Sequence, residues 1–283
     1  MSTPPFLELP EGVRAQQLPT ARGDFAVLTA PSGGDTPRDP VLLVPGFTGS
    51  KEDFIAILAP IAAAGHPVTA LDLRGQFETP GGEDPTSYDV KELAEDLLAV
   101  VARLGGPVHL VGHSFGGLVG RAAALADPAS LRSLTLLASG PAAIPHPASS
   151  DLALMVRALA TTDLATVWAV KRQLELSSRP GPPPHIEDFL RARFLASHPV
   201  GLRRLAEQLL DQVDRTDELA AVDLPILVAL GAQDEAWPPA VQRQMATRLG
   251  AMLVEFADAA HSPAAESPEK TAEALVSFWS STD

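Results

Sequence analysis

Short hydrophobic runs alternate along most of the chain with longer segments in which hydrophobic residues recur at helical spacing. The short runs are bounded by turn residues and lack polar alternation, a pattern typical of parallel strands that are buried on both faces. The segments between them repeat hydrophobic residues at i, i+3, i+4 and i+7, most clearly in Val90–Leu104. Alternating strands and helices of this kind predict an α/β fold with a doubly wound, mostly parallel sheet.

The same pattern locates the individual strands and helices of this sheet. The predicted strands are Val41–Val44, Val68–Leu71, Val108–Val111, Leu134–Leu137, Ile226–Leu230 and Met252–Phe256. The predicted helices between and after them are Asp53–Ala64, Val90–Leu104, Gly116–Ala126 and Pro239–Leu249. A last helix is expected to begin at Pro268, with Ser267 as its N-cap, because proline is favoured in the first turn and serine just before it.

From about residue 142 to residue 222 the alternation stops, and amphipathic helical segments follow one another without a strand. These segments are Asp151–Ala160, Leu164–Leu176, Ile186–Ala196 and Gly201–Val213. We therefore predict an α/β core formed by residues 1–141 and 223–283, and a helical cap formed by residues 142–222. An insertion at this position is expected to cover the carboxyl ends of the strands, where open α/β sheets bind ligands.

Charge and composition narrow the classes of function. The 283 residues carry a formal net charge of −14, which argues against nucleic-acid binding because that function needs a basic face. The absence of cysteine excludes disulfides, a thiol nucleophile and a cysteine-based zinc site. The hydrophobic runs are too short to span a membrane, and the first residues do not resemble a secretory signal. We therefore expect a cytoplasmic protein with no membrane span.

The motif Gly112-His113-Ser114-Phe115-Gly116 stands between a predicted strand and a predicted helix. A glycine-flanked serine can belong to an ordinary turn between a strand and a helix. In this context, however, the spacing is typical of a sharp turn that holds a serine hydroxyl at the edge of the sheet. The helix that begins beneath the serine favours negative charge at its N-terminus, as acyl transfer requires.

This arrangement resembles the nucleophile elbow of the α/β-hydrolase superfamily, and the resemblance implies a mostly parallel sheet of about eight strands with a helical cap. It also implies that Ser114 is the nucleophile. The run Val44-Pro45-Gly46-Phe47 is similar to the segment that supplies half of the superfamily's oxyanion hole. The implied donors are the backbone N–H groups of Phe47 and Phe115. Pro45 stands where many members have histidine, but a backbone donor does not depend on that side chain.

Two later segments resemble those that carry the acid and the base of the superfamily. Gly231-Ala232-Gln233-Asp234 follows a predicted strand, and this resemblance implies that Asp234 is the acid. Glu235 is the adjacent alternative, which the glycine spacing disfavours. His261 lies between the last strand and the last helix, where members carry the base. A serine hydroxyl needs such a base near neutral pH, and the carboxylate fixes the tautomer of the imidazole.

Leu71-Asp72-Leu73-Arg74-Gly75 resembles a segment that follows an early strand in many members. We expect Arg74 to be structural and to pair with Asp72 or with a loop carboxylate. The alternative is that Arg74 or Gln76 contacts the substrate.

The resemblance implies a serine hydrolase that cleaves a carboxylic ester or lactone of a small, largely apolar substrate through an acyl-enzyme on Ser114. It implies no metal and no cofactor. The same residues would serve a thioesterase, an acyltransferase, a C–C hydrolase or an enzyme of elimination or cyclisation, and a receptor could retain them as a ligand site. Hydrophobic residues of the cap are expected to form mostly a helix-packing core, with some lining the pocket: Leu152, Met155, Val156, Leu159, Trp168, Phe189 and Phe194.

Overall fold

A computed structural model describes residues 2–34, 37–178 and 180–282, and its centre is a sheet of eight strands. The strands are β1 (Arg14–Thr20), β2 (Gly23–Ala30), β3 (Val41–Val44), β4 (Val68–Leu71), β5 (Val108–His113), β6 (Leu131–Leu137), β7 (Ile226–Gly231) and β8 (Met252–Phe256). Their order across the sheet is β1-β2-β4-β3-β5-β6-β7-β8.

The sheet is mostly parallel, as predicted. Strand β2 pairs antiparallel with both of its neighbours, β1 and β4, whereas β3 to β8 pair in parallel. All six strands predicted from the hydrophobic runs are present, with three of them extended at one end. The two remaining strands, β1 and β2, form a hairpin at one edge and were not located by the hydrophobic pattern.

Helices cover both faces of the sheet. They are α1 (Ile55–Ala63), α2 (Val90–Leu104), α3 (Phe115–Ala126), α4 (Ala148–Thr161), α5 (Leu164–Ser178), α6 (Pro184–Ala196), α7 (Pro199–Asp211), α8 (Thr216–Ala220), α9 (Pro239–Leu249), α10 (Pro263–Glu266) and α11 (Pro268–Ser280). Successive residues of β3 contact opposite layers: Leu42 lies in the core with α2 and α3, and Leu43 in the core with α1 and α11. This two-sided burial explains the uninterrupted hydrophobic strands and confirms the doubly wound architecture.

Five consecutive helices, α4 to α8, lie between β6 and β7, where the helical insertion was predicted. Residues of α4, α5, α6 and α7 form a separate small hydrophobic core: Leu159, Val167, Trp168, Ile186, Leu190, Phe194 and Leu202. The later helices α7 and α8 also contribute Leu205, Leu209 and Leu219 to the main core. In the part of the chain that the structure describes, no helix combines the length and hydrophobicity needed to cross a membrane.

Candidate active site

Ser114 occupies the turn between β5 and α3 in a strained conformation, with φ of +53° and ψ of −119°. The flanking glycines let the strand and the helix approach each other closely. A Cβ atom on Gly112 would lie 2.3 Å from the carbonyl oxygen of Gly116, so no larger residue fits without a shift. The sequence therefore places a serine hydroxyl at the carboxyl edge of the central strand, as its motif predicts.

Ser114, His261 and Asp234 are joined by hydrogen bonds. The Nε2 atom of His261 lies 3.0 Å from the Oγ of Ser114, and its Nδ1 lies 2.9 Å from Oδ1 of Asp234. An ionised carboxylate only accepts hydrogen bonds, so Nδ1 carries the proton and Nε2 accepts from the serine hydroxyl. The Asp234 side chain is fully buried, whereas 29% of the His261 side chain is exposed. The arrangement can remove a proton from the serine while a buried charge stabilises the imidazolium.

Asp234 is oriented by further donors. Its Oδ1 accepts a hydrogen bond from the backbone N–H of Ala236 at 2.8 Å, and its Oδ2 accepts one from Nε2 of Gln242 at 2.8 Å. Gln242 lies on α9 and is completely buried. The alternative acid, Glu235, points to solvent. Gln242 was not predicted from the sequence. Its one distinguishing feature there is that it is an amide on the inward-facing side of a predicted helix.

The loops that carry Asp234 and His261 are in direct contact. A Cβ atom on Gly231 would lie 1.9 Å from the carbonyl oxygen of Ala260, which explains the glycine of the G-x-x-D segment. The backbone N–H groups of Ala260 and Ser262 both donate to one carboxylate oxygen of Glu266, at 2.6 and 3.3 Å. Glu266 therefore holds the backbone on both sides of His261, a role that no motif indicated.

His113, the residue before Ser114 and the last residue of β5, contacts the backbone of His261. Its Nε2 lies 2.6 Å from the carbonyl oxygen of His261. Burial, reinforced by the neighbouring His261, lowers the pKa of His113 to about 3. The ring is therefore neutral at ordinary pH, and its Nε2–H donates to that carbonyl. The side chain of His113 is almost completely buried.

The predicted oxyanion donors stand on two neighbouring loops. Phe47 belongs to the loop after β3 and lines the cavity that contains Ser114 and His261. Phe115 is the first residue of α3, directly after the serine, and its side chain is buried. The N-terminus of a helix presents backbone N–H groups and a positive partial charge, so this end of α3 favours an anion.

A cavity of about 710 Å³ extends from Ser114 between the sheet and helices α4 and α5. Its hydrophobic wall consists of Ile144, Ala148, Leu152, Leu154, Met155, Ala158, Val167, Val170, Leu174 and Leu209. Polar side chains on the same wall are Asp151, Thr162, Thr166, Lys171 and Glu175. Of the cap residues singled out in the sequence, Leu152 and Met155 line this cavity, whereas Leu159, Trp168 and Phe194 belong to the small core of the inserted helices.

Arg74 is structural, but its partner differs from those expected. Its guanidinium contacts both carboxylate oxygens of Asp96 on α2, at 2.8 and 2.6 Å. Asp72 is instead paired with Lys51 at 2.9 Å. The expectation failed because the partner, Asp96, is a buried residue of α2, and the sequence around Arg74 does not show that α2 packs against it.

A serine, a histidine and a carboxylate on loops at the carboxyl edge of a mostly parallel sheet define a protein of the α/β-hydrolase class. The model of the alpha/beta hydrolase family matches residues 41–274. The chain therefore belongs to the alpha/beta hydrolase family.

Curated relatives of the chain include bacterial esterases. Pimeloyl-(acyl-carrier protein) methyl ester esterase of Neisseria meningitidis serogroup C is 31% identical over 233 residues, covering 79% of this chain and 86% of the relative. Rhodomycin D methylesterase DauP of Streptomyces sp. is 28% identical, covering 84% and 90%. A shorter match, 37% identical over 105 residues, spans only 39% of a protein of Variovorax paradoxus that is provisionally named carbamate hydrolase RutD.

Solved structures share the same fold. Esterase EaEST from Exiguobacterium antarcticum superimposes with a TM-score of 0.78, at 20% identity, over 94% of this chain and all of that chain. At this identity the similarity establishes the arrangement of strands and helices alone.

Proposed function

We propose that this protein hydrolyses a carboxylic ester or lactone through an acyl-enzyme on Ser114. The observation that carries the proposal is the continuous line of hydrogen bonds from Ser114 through His261 to the buried Asp234. His261 accepts the hydroxyl proton as the Oγ of Ser114 attacks the ester carbonyl, and Asp234 stabilises the imidazolium.

The negative charge of the tetrahedral intermediate falls on the former carbonyl oxygen. The backbone N–H groups of Phe47 and Phe115 are the proposed donors to that oxygen. As the intermediate collapses, His261 gives its proton to the leaving alkoxide, and the alcohol departs. Water, activated by His261, then attacks the acyl-enzyme and releases the acid.

The cavity and the relatives indicate the kind of ester. The wall formed by α4 and α5 is mostly aliphatic, which favours a hydrophobic acyl group in the cavity. The names of two relatives describe methyl esters as their substrates. Together these observations support an ester of a hydrophobic acid with a short alcohol, and a selective role for the helical cap of residues 142–222.

The direct test is Ser114→Ala, assayed on p-nitrophenyl esters of graded acyl length beside acyl-thioesters of the same acids. We expect kcat to fall by at least about 10⁴-fold, because loss of the nucleophile removes the covalent route. The matched control is Ser130→Ala, on the turn between α3 and β6, which should retain parental rates. Turnover by Ser114→Ala within tenfold of the parent would overturn the proposal, and faster cleavage of thioesters than of esters would move the assignment to a thioesterase.

A further inference from the structure

Gln76 is buried behind the loop that follows β3, with 1% of its surface exposed. Its Nε2 donates a hydrogen bond to the carbonyl oxygen of Gly46 at 2.9 Å. The backbone N–H of Gly49 donates to the same oxygen at 3.0 Å. This carbonyl therefore has two donors, one from its own loop and one from a side chain in the turn after β4.

The carbonyl of Gly46 and the N–H of Phe47 belong to one peptide unit. This peptide is trans, and a trans peptide is planar, with its C=O and N–H pointing in opposite directions. A hydrogen bond that fixes the direction of the Gly46 carbonyl thus also fixes the direction of the Phe47 N–H. Donation to the carbonyl also polarises the peptide and strengthens its N–H as a donor.

The buried amide of Gln76 is only half satisfied. Its Oε1 has no hydrogen-bond partner among the residues that the structure describes. A buried acceptor without a partner destabilises the folded state, and a methionine of the same length would fill this space without that cost. Packing alone therefore does not explain an amide at this position, whereas a need for its N–H donor does.

Besides the hydrogen bond from Gln76 to Gly46, a second set of contacts joins the turn that contains Gln76 to the segment after β3. The Nζ atom of Lys51 contacts Asp72 at 2.9 Å and Glu78 at 2.6 Å, on the two sides of Gln76. The backbone N–H of Lys51 also donates to Asp72 at 2.7 Å. Because these contacts tie the two segments together, the position of the Gln76 amide relative to Gly46 is well defined.

From these contacts we infer that Gln76 is a positioning residue of the oxyanion hole. It aims the Phe47 N–H at the oxygen that becomes negatively charged, and it touches neither the substrate nor the reacting atoms. The inference rests on the proposed function. Since the oxyanion exists only in the transition state and the intermediates, loss of this alignment should lower kcat and leave KM nearly unchanged.

The test compares Gln76→Met and Gln76→Glu with a matched control, Gln208→Met. Methionine keeps the length and removes the donor, and an ionised glutamate repels the carbonyl. Gln208 is a buried glutamine on α7 whose Nε2 likewise donates to a backbone carbonyl, that of Tyr88, at 2.7 Å. The measurements are kcat and KM on the best ester, the melting temperature, and the Ki of an alkylboronic acid, which forms an anionic tetrahedral adduct with an active serine.

Removing a whole oxyanion donor costs about 10² to 10³ in kcat in other enzymes, so misaligning one should cost about 10- to 100-fold. We expect that loss in kcat for Gln76→Met, an equal or larger loss for Gln76→Glu, unchanged KM and a Ki raised by a similar factor. Gln208→Met should keep parental kcat, even if its melting temperature falls.

Three outcomes would overturn the role of Gln76: kcat of Gln76→Met within about twofold of the parent, a loss confined to KM, or an equal loss of kcat in Gln208→Met. Ser114→Ala distinguishes failure of the proposed function from failure of the role of Gln76. If that variant keeps its turnover, the proposed function fails. If it is inactive while Gln76→Met is fully active, only the role of Gln76 fails.

Discussion

At the scale of single residues, Asp234 depends on contacts from three parts of the chain. Its carboxylate accepts hydrogen bonds from His261, from the backbone of Ala236 and from Gln242. All of these partners are donors, so a group that only accepts is required at this position. Glu235, one residue further, is exposed and has none of this environment.

We therefore expect Asp234→Asn to lower kcat by orders of magnitude without unfolding the protein. An asparagine can present its amide N–H to Nδ1 of His261 and stabilise the wrong tautomer. The equivalent change in the trypsin triad, a known example from another protein, costs about 10⁴ in kcat. Glu235→Gln is the control and should retain parental kcat. Measurement of both variants on one ester decides the matter, since the reverse ranking would mean that the adjacent carboxylate is the acid.

The sequence alone was sufficient to propose Ser114, Asp234 and His261, because each stands after a predicted strand in a segment that resembles one of the superfamily. It was insufficient for the residues that hold them. Gln242 and Glu266 act through hydrogen bonds made by side chains on helices, and these depend on how each helix packs against the rest of the chain. Such contacts leave no periodic pattern, so only the folded arrangement reveals them.

At the scale of whole elements, five of the six strands located from the sequence, β3 to β7, are almost completely buried. The sixth, β8, is mostly exposed, and strand β2 was missed although most of its residues are buried. The edge strand β1 was missed because most of its residues are exposed and polar, and Pro19 interrupts it. Its structure depends on antiparallel pairing with β2, with Arg14 opposite Thr29 and Thr20 opposite Gly23. Which strand pairs with a given edge strand is determined by the tertiary structure, not by the local sequence. Because β1 has no hydrophobic run, the hydrophobic pattern could not locate it.

A buried ion pair joins helix α6 to the helical turn of residues 51–54, which follows the loop after β3. Arg193 of α6 lies 2.6 Å from Asp53, and both side chains are almost completely buried. Arg193 also donates to the carbonyl of Ser2 at 2.8 Å. Burial raises the pKa of Asp53, although the adjacent guanidinium opposes this change. The carboxylate therefore depends on Arg193 for its charge.

Removing Arg193 alone should be strongly destabilising. We expect Arg193→Met to lower the free energy of unfolding by about 3–5 kcal/mol, the usual loss when one member of a buried pair remains. Arg193→Met with Asp53→Leu should be more stable than Arg193→Met alone, because no buried charge is left unpaired. Urea unfolding of the two single variants and the double variant measures this coupling. If the two single losses simply add, the ion pair does not link α6 to the core.

At the scale of the whole molecule, the helices of the predicted cap, residues 142–222, differ in what they contact. Helices α7 and α8 supply hydrophobic residues to the main core, and their removal would expose that core to water. Helices α4 and α5 instead form the wall of the cavity above Ser114. The proposed division of labour, with chemistry in the core and selectivity in the cap, is therefore best tested by changes within α4 and α5.

Val170 on α5 is suited to this test, because it lines the cavity while 56% of its surface is exposed. A tryptophan there adds bulk to the wall of the cavity without disturbing a packed core. We expect Val170→Trp to lower kcat/KM by about tenfold or more for esters of long acids, the scale at which a pocket discriminates by size, and to leave kcat/KM for acetate esters unchanged.

Ala169→Trp is the matched control, since Ala169 is the exposed neighbour on the same helix. Because an added exposed tryptophan promotes association, both variants must first be shown to be monodisperse to the same degree as the parent. An unchanged chain-length profile in Val170→Trp, or the same shift in Ala169→Trp, would mean that the acyl group lies elsewhere and that loops of the core select the substrate.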